Sequence, residues 1–184
     1  MTDDPFQCRC ILCHDYGDRN EVDRVDLAII KNVQQHGWHV VVVPEDEIGP
    51  GFAYTIGLSH THGAPELAVF ELEIHAMHRM LNRLGVKSAA GAVLADGQRH
   101  LGVVHGHQVA LRQVDLRWYR PFFGQAIGFY RRPPFPVLQV AWSDADNRFH
   151  WEEQVDERHR ESQPQLWLRP SEHPAGVWTT EIRP

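Results

Sequence analysis

Three apolar runs between residues 38 and 72 constrain this chain more than any other feature: "WHVVVVP", "FAYTIGL" and "ELAVFEL". β-branched and aromatic residues crowd all three, and the turn-forming stretches "PEDEIGPG" and "SHTHGAP" separate them, so each reads as a strand. The first has the composition of a strand buried on both faces. In the second, Phe52, Tyr54, Ile56 and Leu58 fall on one face, and the small residues Ala53, Thr55 and Gly57 fall on the other. A face of small residues lets a second backbone or a ligand come close.

Helical periodicity brackets these strands. "NEVDRVDLAIIKNVQQHG" places Val22, Val25, Ile29 and Val33 at three- and four-residue steps, with Asn20 as a capping residue and Gly37 as a stop. "EIHAMHRMLNRLG" lines up Ile74, Met77, Leu81 and Leu84 in the same way. "LGVVHGHQVALRQV" reads as two short strands meeting near Gly106, and "FPVLQVAW" as another strand that ends in the turn "SDADN". "RWYRPFFGQAIGFYRR" reads as a helix starting after Pro121 and weakened by Gly124 and Gly128. The expected fold is α+β: a mostly antiparallel sheet of five or six strands with two or three helices. The organisation is a Cys-rich arm over residues 1–20, a core domain over 21–151 and a polar tail over 152–184. The tail is expected to pack loosely, anchored by Trp167 and Trp178.

Three separated blocks carry a family resemblance. They are "FAYTIGL" with its downstream "PEL", then the "QVAW" block with its following Asp144, then "QP" at residues 163–164. In this order they resemble the bacterial family catalogued as domain of unknown function 4262, over roughly Ile29 to Leu168. The resemblance implies a small soluble bacterial domain and brings no activity with it. The chain departs from the usual family pattern in its Cys-rich arm and in "SDAD", where a proline commonly follows the tryptophan.

Composition narrows the function. A net charge of -6 does not suit general nucleic-acid binding, which needs a basic surface to neutralise phosphates. No apolar run approaches the ~20 residues of a membrane span. The acidic opening "MTDDPFQCRC" does not read as a secretory signal, so a cytoplasmic location with reduced thiols is expected. The sequence contains no G-x-S-x-G, no G-x-x-x-x-G-K-[ST] and no G-x-G-x-x-G, which argues against serine hydrolases, nucleotide hydrolases and dinucleotide enzymes.

All three cysteines lie in "CRCILCH", residues 8–14, beside His14. Clustered thiols in a reducing compartment hold metal, cycle electrons or decorate an exposed arm. The C-x-x-C pair, Cys10 and Cys13, lacks the strand-to-helix setting of a redox dithiol. Cys8, Cys10 and Cys13 can supply three thiolates to zinc, and tetrahedral coordination needs a fourth ligand. His14 is adjacent to Cys13, so joining it on the same ion is strained. A distant histidine from "SHTH" (His60, His62) or "HGH" (His105, His107) is the alternative. "FAYTIGLSHTHGAPEL" is also the best candidate wall for a ligand pocket, offering Tyr54, Thr55, Ser59 and Glu66. Arg117 and Arg120, with Arg131 and Arg132, could hold an anion.

Two functions stay open at this point. The first is a zinc-bearing binding domain whose partner is a protein or small molecule. The second is a small metal- or flavin-dependent enzyme, its pocket formed where "SHTH" and "HGH" meet, acting on a small anionic substrate.

Overall fold

The computed structural model describes residues 8–18, 22–47, 49–131 and 135–182, the last three without their side chains. The expected cap Asn20 and the expected anion ligand Arg132 lie outside the described residues, as do residues 1–7 and 19 of the arm.

The fold is α+β, built on a six-stranded, mostly antiparallel sheet. Its strands are β1 (His39–Val43), β2 (Phe52–Ile56), β3 (Glu66–Phe70), β4 (Arg99–Val104), β5 (His107–Gln113) and β6 (Val137–Trp142), in the order β1-β2-β3-β6-β5-β4. The β3–β6 pair is parallel, with Glu66 beside Val137, and the other pairs are antiparallel. β1 is therefore an edge strand. Its valines are mostly half-buried, not buried on both faces as the apolar run suggested, because neighbours pair with it on one side only.

Two long helices flank the sheet. α1 (Arg24–His36) is capped by Asp23, whose carboxylate accepts from the N–H groups of Val25 and Asp26. Gly37 ends it in the left-handed conformation. Only Ile29 and Val33 of the expected stripe are buried in the helix. Val25 is 47% exposed, and Val22 precedes the first turn. The second long helix, α3 (Ile74–Ala89), buries Met77, Leu81 and Leu84, while Ile74 at its start is 39% exposed. Shorter helices follow the same chain order: α2 (Leu58–His62), α4 (Tyr119–Phe122), α5 (Gly124–Tyr130) and α6 (Glu157–Ser162). α2 occupies what read as an open loop, and the single helix expected after Pro121 is instead α4 and α5, split at Phe123.

The period-two alternation of the strands sorts the core into two layers. Ala53, Leu67, Val69, Leu138 and Val140 meet α3 on one face. Tyr54, Ile56, Ala68, Phe70 and Val137 meet Ile29 and Val33 of α1 and the aromatic rings of α4 and α5 on the other. Gly85 of α3 lies so close to the Trp38 indole that a Cβ there would come within 2.8 Å of the ring.

The segment expected to form a loose tail is fastened to the second face. Leu166 is fully buried and Trp178 nearly so. Gln163 exchanges hydrogen bonds with the backbone of Trp142, and Trp118 donates from Nε1 to the Leu168 carbonyl. These side chain-to-backbone bonds hold a polar segment in place without a long apolar run, which explains why its composition misled.

His150 is buried among the rings of Trp151, Trp167 and His159. Burial, helped by the neighbouring His159, pulls its pKa down to about 3 from 6.5. The unfolded chain therefore takes up a proton below about pH 6.5 that the folded chain refuses until about pH 3. Stability is complete above that window and is lost as pH falls through it, by up to about 1.4 kcal/mol per pH unit. His150→Phe is expected to reduce the stability lost between about pH 7 and about pH 4.5 by roughly 2–3 kcal/mol, read by urea denaturation at both pH values.

Candidate metal centre

The chain between β2 and β3 is shaped by one buried carboxylate. Glu66, at the start of β3 and 1% exposed, accepts from the backbone N–H groups of Gly57 and Ser59, both at 3.0 Å. It also accepts from the hydroxyls of Thr55, at 2.6 Å, and of Tyr130 on α5. Thr55 in turn accepts from the Leu67 N–H, locking β2 to β3 at this point. Burial pushes the Glu66 pKa up, and its hydrogen-bond donors pull against that rise.

The same bonds set the start of α2. Gly57 adopts a φ of 114° and packs so tightly that a Cβ would meet Val33 at 2.8 Å and the Gly37 carbonyl at 2.9 Å. The small face of "FAYTIGL" does admit another backbone here, and it is the end of α1. Thr61 donates to that same Gly37 carbonyl at 2.7 Å, so α2 is braced between Glu66 and α1.

His60, in the middle of α2, is held at a defined height against α5, where its ring meets Phe129 edge-on at 6.4 Å. The arm folds over it. Ile11 donates its backbone N–H to the Phe129 carbonyl, and the N–H groups of Cys13 and His14 turn back onto the Cys10 carbonyl, each at 3.0 Å. This turn gathers the thiols. Cys10 is fully buried, while Cys8, Ile11 and Leu12 pack beside it on the core.

The outcome is a convergence of four ligand atoms. His60 Nδ1 lies 3.6 Å from Cys8 Sγ, 3.3 Å from Cys10 Sγ and 3.4 Å from Cys13 Sγ. Cys10 Sγ and Cys13 Sγ are 3.8 Å apart, and all four ligand atoms lie within 4.8 Å of one another. A tetrahedral ion with sulfur at ~2.3 Å and nitrogen at ~2.0 Å has sulfur–nitrogen edges of about 3.5 Å and sulfur–sulfur edges of about 3.8 Å. The Cys10, Cys13 and His60 atoms already stand at that spacing, so this group can hold a metal ion.

The imidazole suits a cation, whereas the thiols must give up protons to bind one. Burial lowers the His60 pKa, which keeps the ring neutral and its nitrogen lone pair available. Burial pushes the Cys10 thiol up to about 12 and also raises Cys13. A cation among them reverses that preference, so binding displaces thiol protons.

Of the candidate fourth ligands, then, His60 joins the thiols. His14 is exposed and outside the group. His62 meets the Trp38 ring at the other end of α2. His105 and His107 stand at the β4–β5 turn. Following the strand register, that turn lies beside the C-terminal end of β6 and the far end of β3, opposite His60 on the sheet. The "SHTH" and "HGH" stretches thus do not share a pocket. Tyr54 is core, Thr55 and Glu66 bond one another, and Ser59 contributes its backbone N–H. Arg117 pairs with Asp115 at 3.0 Å, Arg120 is exposed, and Arg131 pairs with Asp18.

Tyr130 escaped the sequence reading. It sits 64 residues from Glu66, and nothing local distinguishes it from the other aromatics of its helix.

A family model described as "Domain of unknown function (DUF4262)" matches residues 32–156, so His60 falls inside the matched region and the three cysteines fall before it. No curated protein and no solved structure matches the chain.

Glu66→Gln turns an amide group toward donors that need an acceptor. It is expected to destabilise the chain by about 2–4 kcal/mol in thermal denaturation. By loosening α2 it is also expected to weaken metal affinity about 10- to 100-fold in competition with a chromophoric chelator.

Proposed function

The chain belongs to the DUF4262 family, whose description carries no activity, and from that premise we propose that it is a zinc-bearing binding domain in which Cys8, Cys10, Cys13 and His60 hold the ion. The observation that supports this reading is the convergence of three sulfurs and one imidazole nitrogen within 4.8 Å of one another, with Cys10, Cys13 and His60 near tetrahedral spacing. Thiolate and imidazole ligands in a tetrahedron suit zinc. Four protein ligands leave no open coordination position, which is the mark of a structural ion and not of one that activates water.

The ion's work in this reading is mechanical. It staples the arm, through three residues, to α2 and through α2 to the sheet. Thiolate ligation suits a reducing compartment such as the cytoplasm, where the three thiols stay free to bind. The body so fixed then offers its surface to a small molecule or protein.

Elemental analysis of the purified chain is expected to give close to one zinc per chain. Cys10→Ser, Cys13→Ser and His60→Ala are each expected to lose most of it, whereas His14→Ala and His62→Ala retain it. Stripping the ion with a chelator is expected to lower the melting temperature. Metal content near zero, unchanged when the thiols become serine, overturns the reading.

A further inference from the structure

A cavity opens at the opposite end of the sheet. β3 and β6 are the parallel pair, and their C-terminal ends lie side by side, with the Trp142 indole donating to the Phe70 carbonyl at 2.9 Å. From these ends the chain leaves toward opposite faces. β3 leads into α3 on one side, and β6 leads into the segment packed on the other. A crevice opens where neighbouring strands diverge in this way, and such crevices are where open sheets place ligands. Here the crevice is a cavity of about 480 Å³, walled by Leu72, Val104 and Trp142 and bearing Glu71 and Arg158. That volume suits a small molecule.

Most polar groups of the cavity are already engaged. Asp144 is held by Arg148, Asp156 accepts from the His159 N–H, and Ser143 accepts from the Gln108 N–H. Ser162 donates to the His159 carbonyl, and His107 Nδ1 lies 3.0 Å from the Asp144 carbonyl. Glu71 and Arg158 differ. Both are exposed at the rim of the cavity, and among the described residues neither side chain has a hydrogen bond or an ion pair; burial and the nearby Glu45 push the Glu71 pKa up, and Arg158 draws it back. Both also line a neighbouring cavity of about 590 Å³, so they stand where the two spaces meet. Glu45 adds negative potential beside Glu71.

The backbone at Glu71 points the same way. Its φ is 55°, the left-handed region that favours glycine, although its N–H is satisfied by the Gly51 carbonyl at 2.9 Å. Non-glycine residues held in this conformation cluster at ligand sites, because the side chain is needed where the backbone would prefer none.

We propose that this cavity binds a small zwitterion with an apolar side chain, of the class of the neutral α-amino acids, its ammonium group on Glu71, its carboxylate on Arg158 and its side chain against Leu72, Val104 and Trp142. An anion alone leaves Glu71 unpaired, and a cation alone leaves Arg158 unpaired. A zwitterion satisfies both without net charge transfer into the cavity.

The probe is L-leucine, titrated calorimetrically into the full chain beside 3-methylbutylamine, which lacks the carboxylate, and 4-methylpentanoate, which lacks the ammonium. One L-leucine is expected to bind per chain, at least about tenfold more tightly than either analogue. Arg158→Gln is expected to lose that binding. Glu71→Gly is the sharper variant, because glycine adopts φ 55° without strain. It is expected to raise the melting temperature while abolishing binding. The proposal is overturned if L-leucine does not bind, if all three probes bind alike, or if binding survives either substitution.

Discussion

Glu66 is the constraint on which the rest of this structure depends. A fully enclosed carboxylate with no ion pair among the described residues survives only if its lone pairs are filled, and here two backbone N–H groups and two hydroxyls fill them. Those donors come from β2, from the start of α2 and from α5, so meeting the need of one side chain brings three separate elements to a common point. Chains of buried hydrogen bonds of this kind specify one arrangement, because a partly satisfied network is worse than none.

His60 inherits its position from that network. α2 is only five residues long and has little helical stability of its own. Glu66 at its first turn and the Thr61 bond to the end of α1 hold it in place, and Phe129 closes against the imidazole. The arm then has a fixed target. Its apolar residues bury against α5, and its turn presents three sulfurs to one nitrogen. Cys10 takes part both in the packing and in the group of ligand atoms.

The sheet separates this centre from the crevice at its other end. The connection across β2 and β3 is tight and hydrogen-bonded to saturation, which suits a structural role. At the diverging ends of β3 and β6, the exposed Glu71 and Arg158 have no hydrogen bond or ion pair from their side chains among the described residues, and Glu71 is in a left-handed conformation. The group of ligand atoms and the cavity thus stand at opposite ends of one sheet.

Much of this was legible in the residues. The alternation of "FAYTIGL", the turn at Gly106, the stop at Gly37 and the α+β class follow from spacing and turn chemistry, which act over a few residues and so leave a local record. The three clustered cysteines marked a candidate metal group, with a redox pair and an incidental arm as the alternatives. The sequence could not choose His60 over His14, His62, His105 or His107, could not join Tyr130 to Glu66, and could not turn Glu66 from a ligand contact into a structural one. Those choices depend on which strands are neighbours and which ends they share. Such facts arise from the order β1-β2-β3-β6-β5-β4, which is decided only when the whole chain buries its two apolar faces at once.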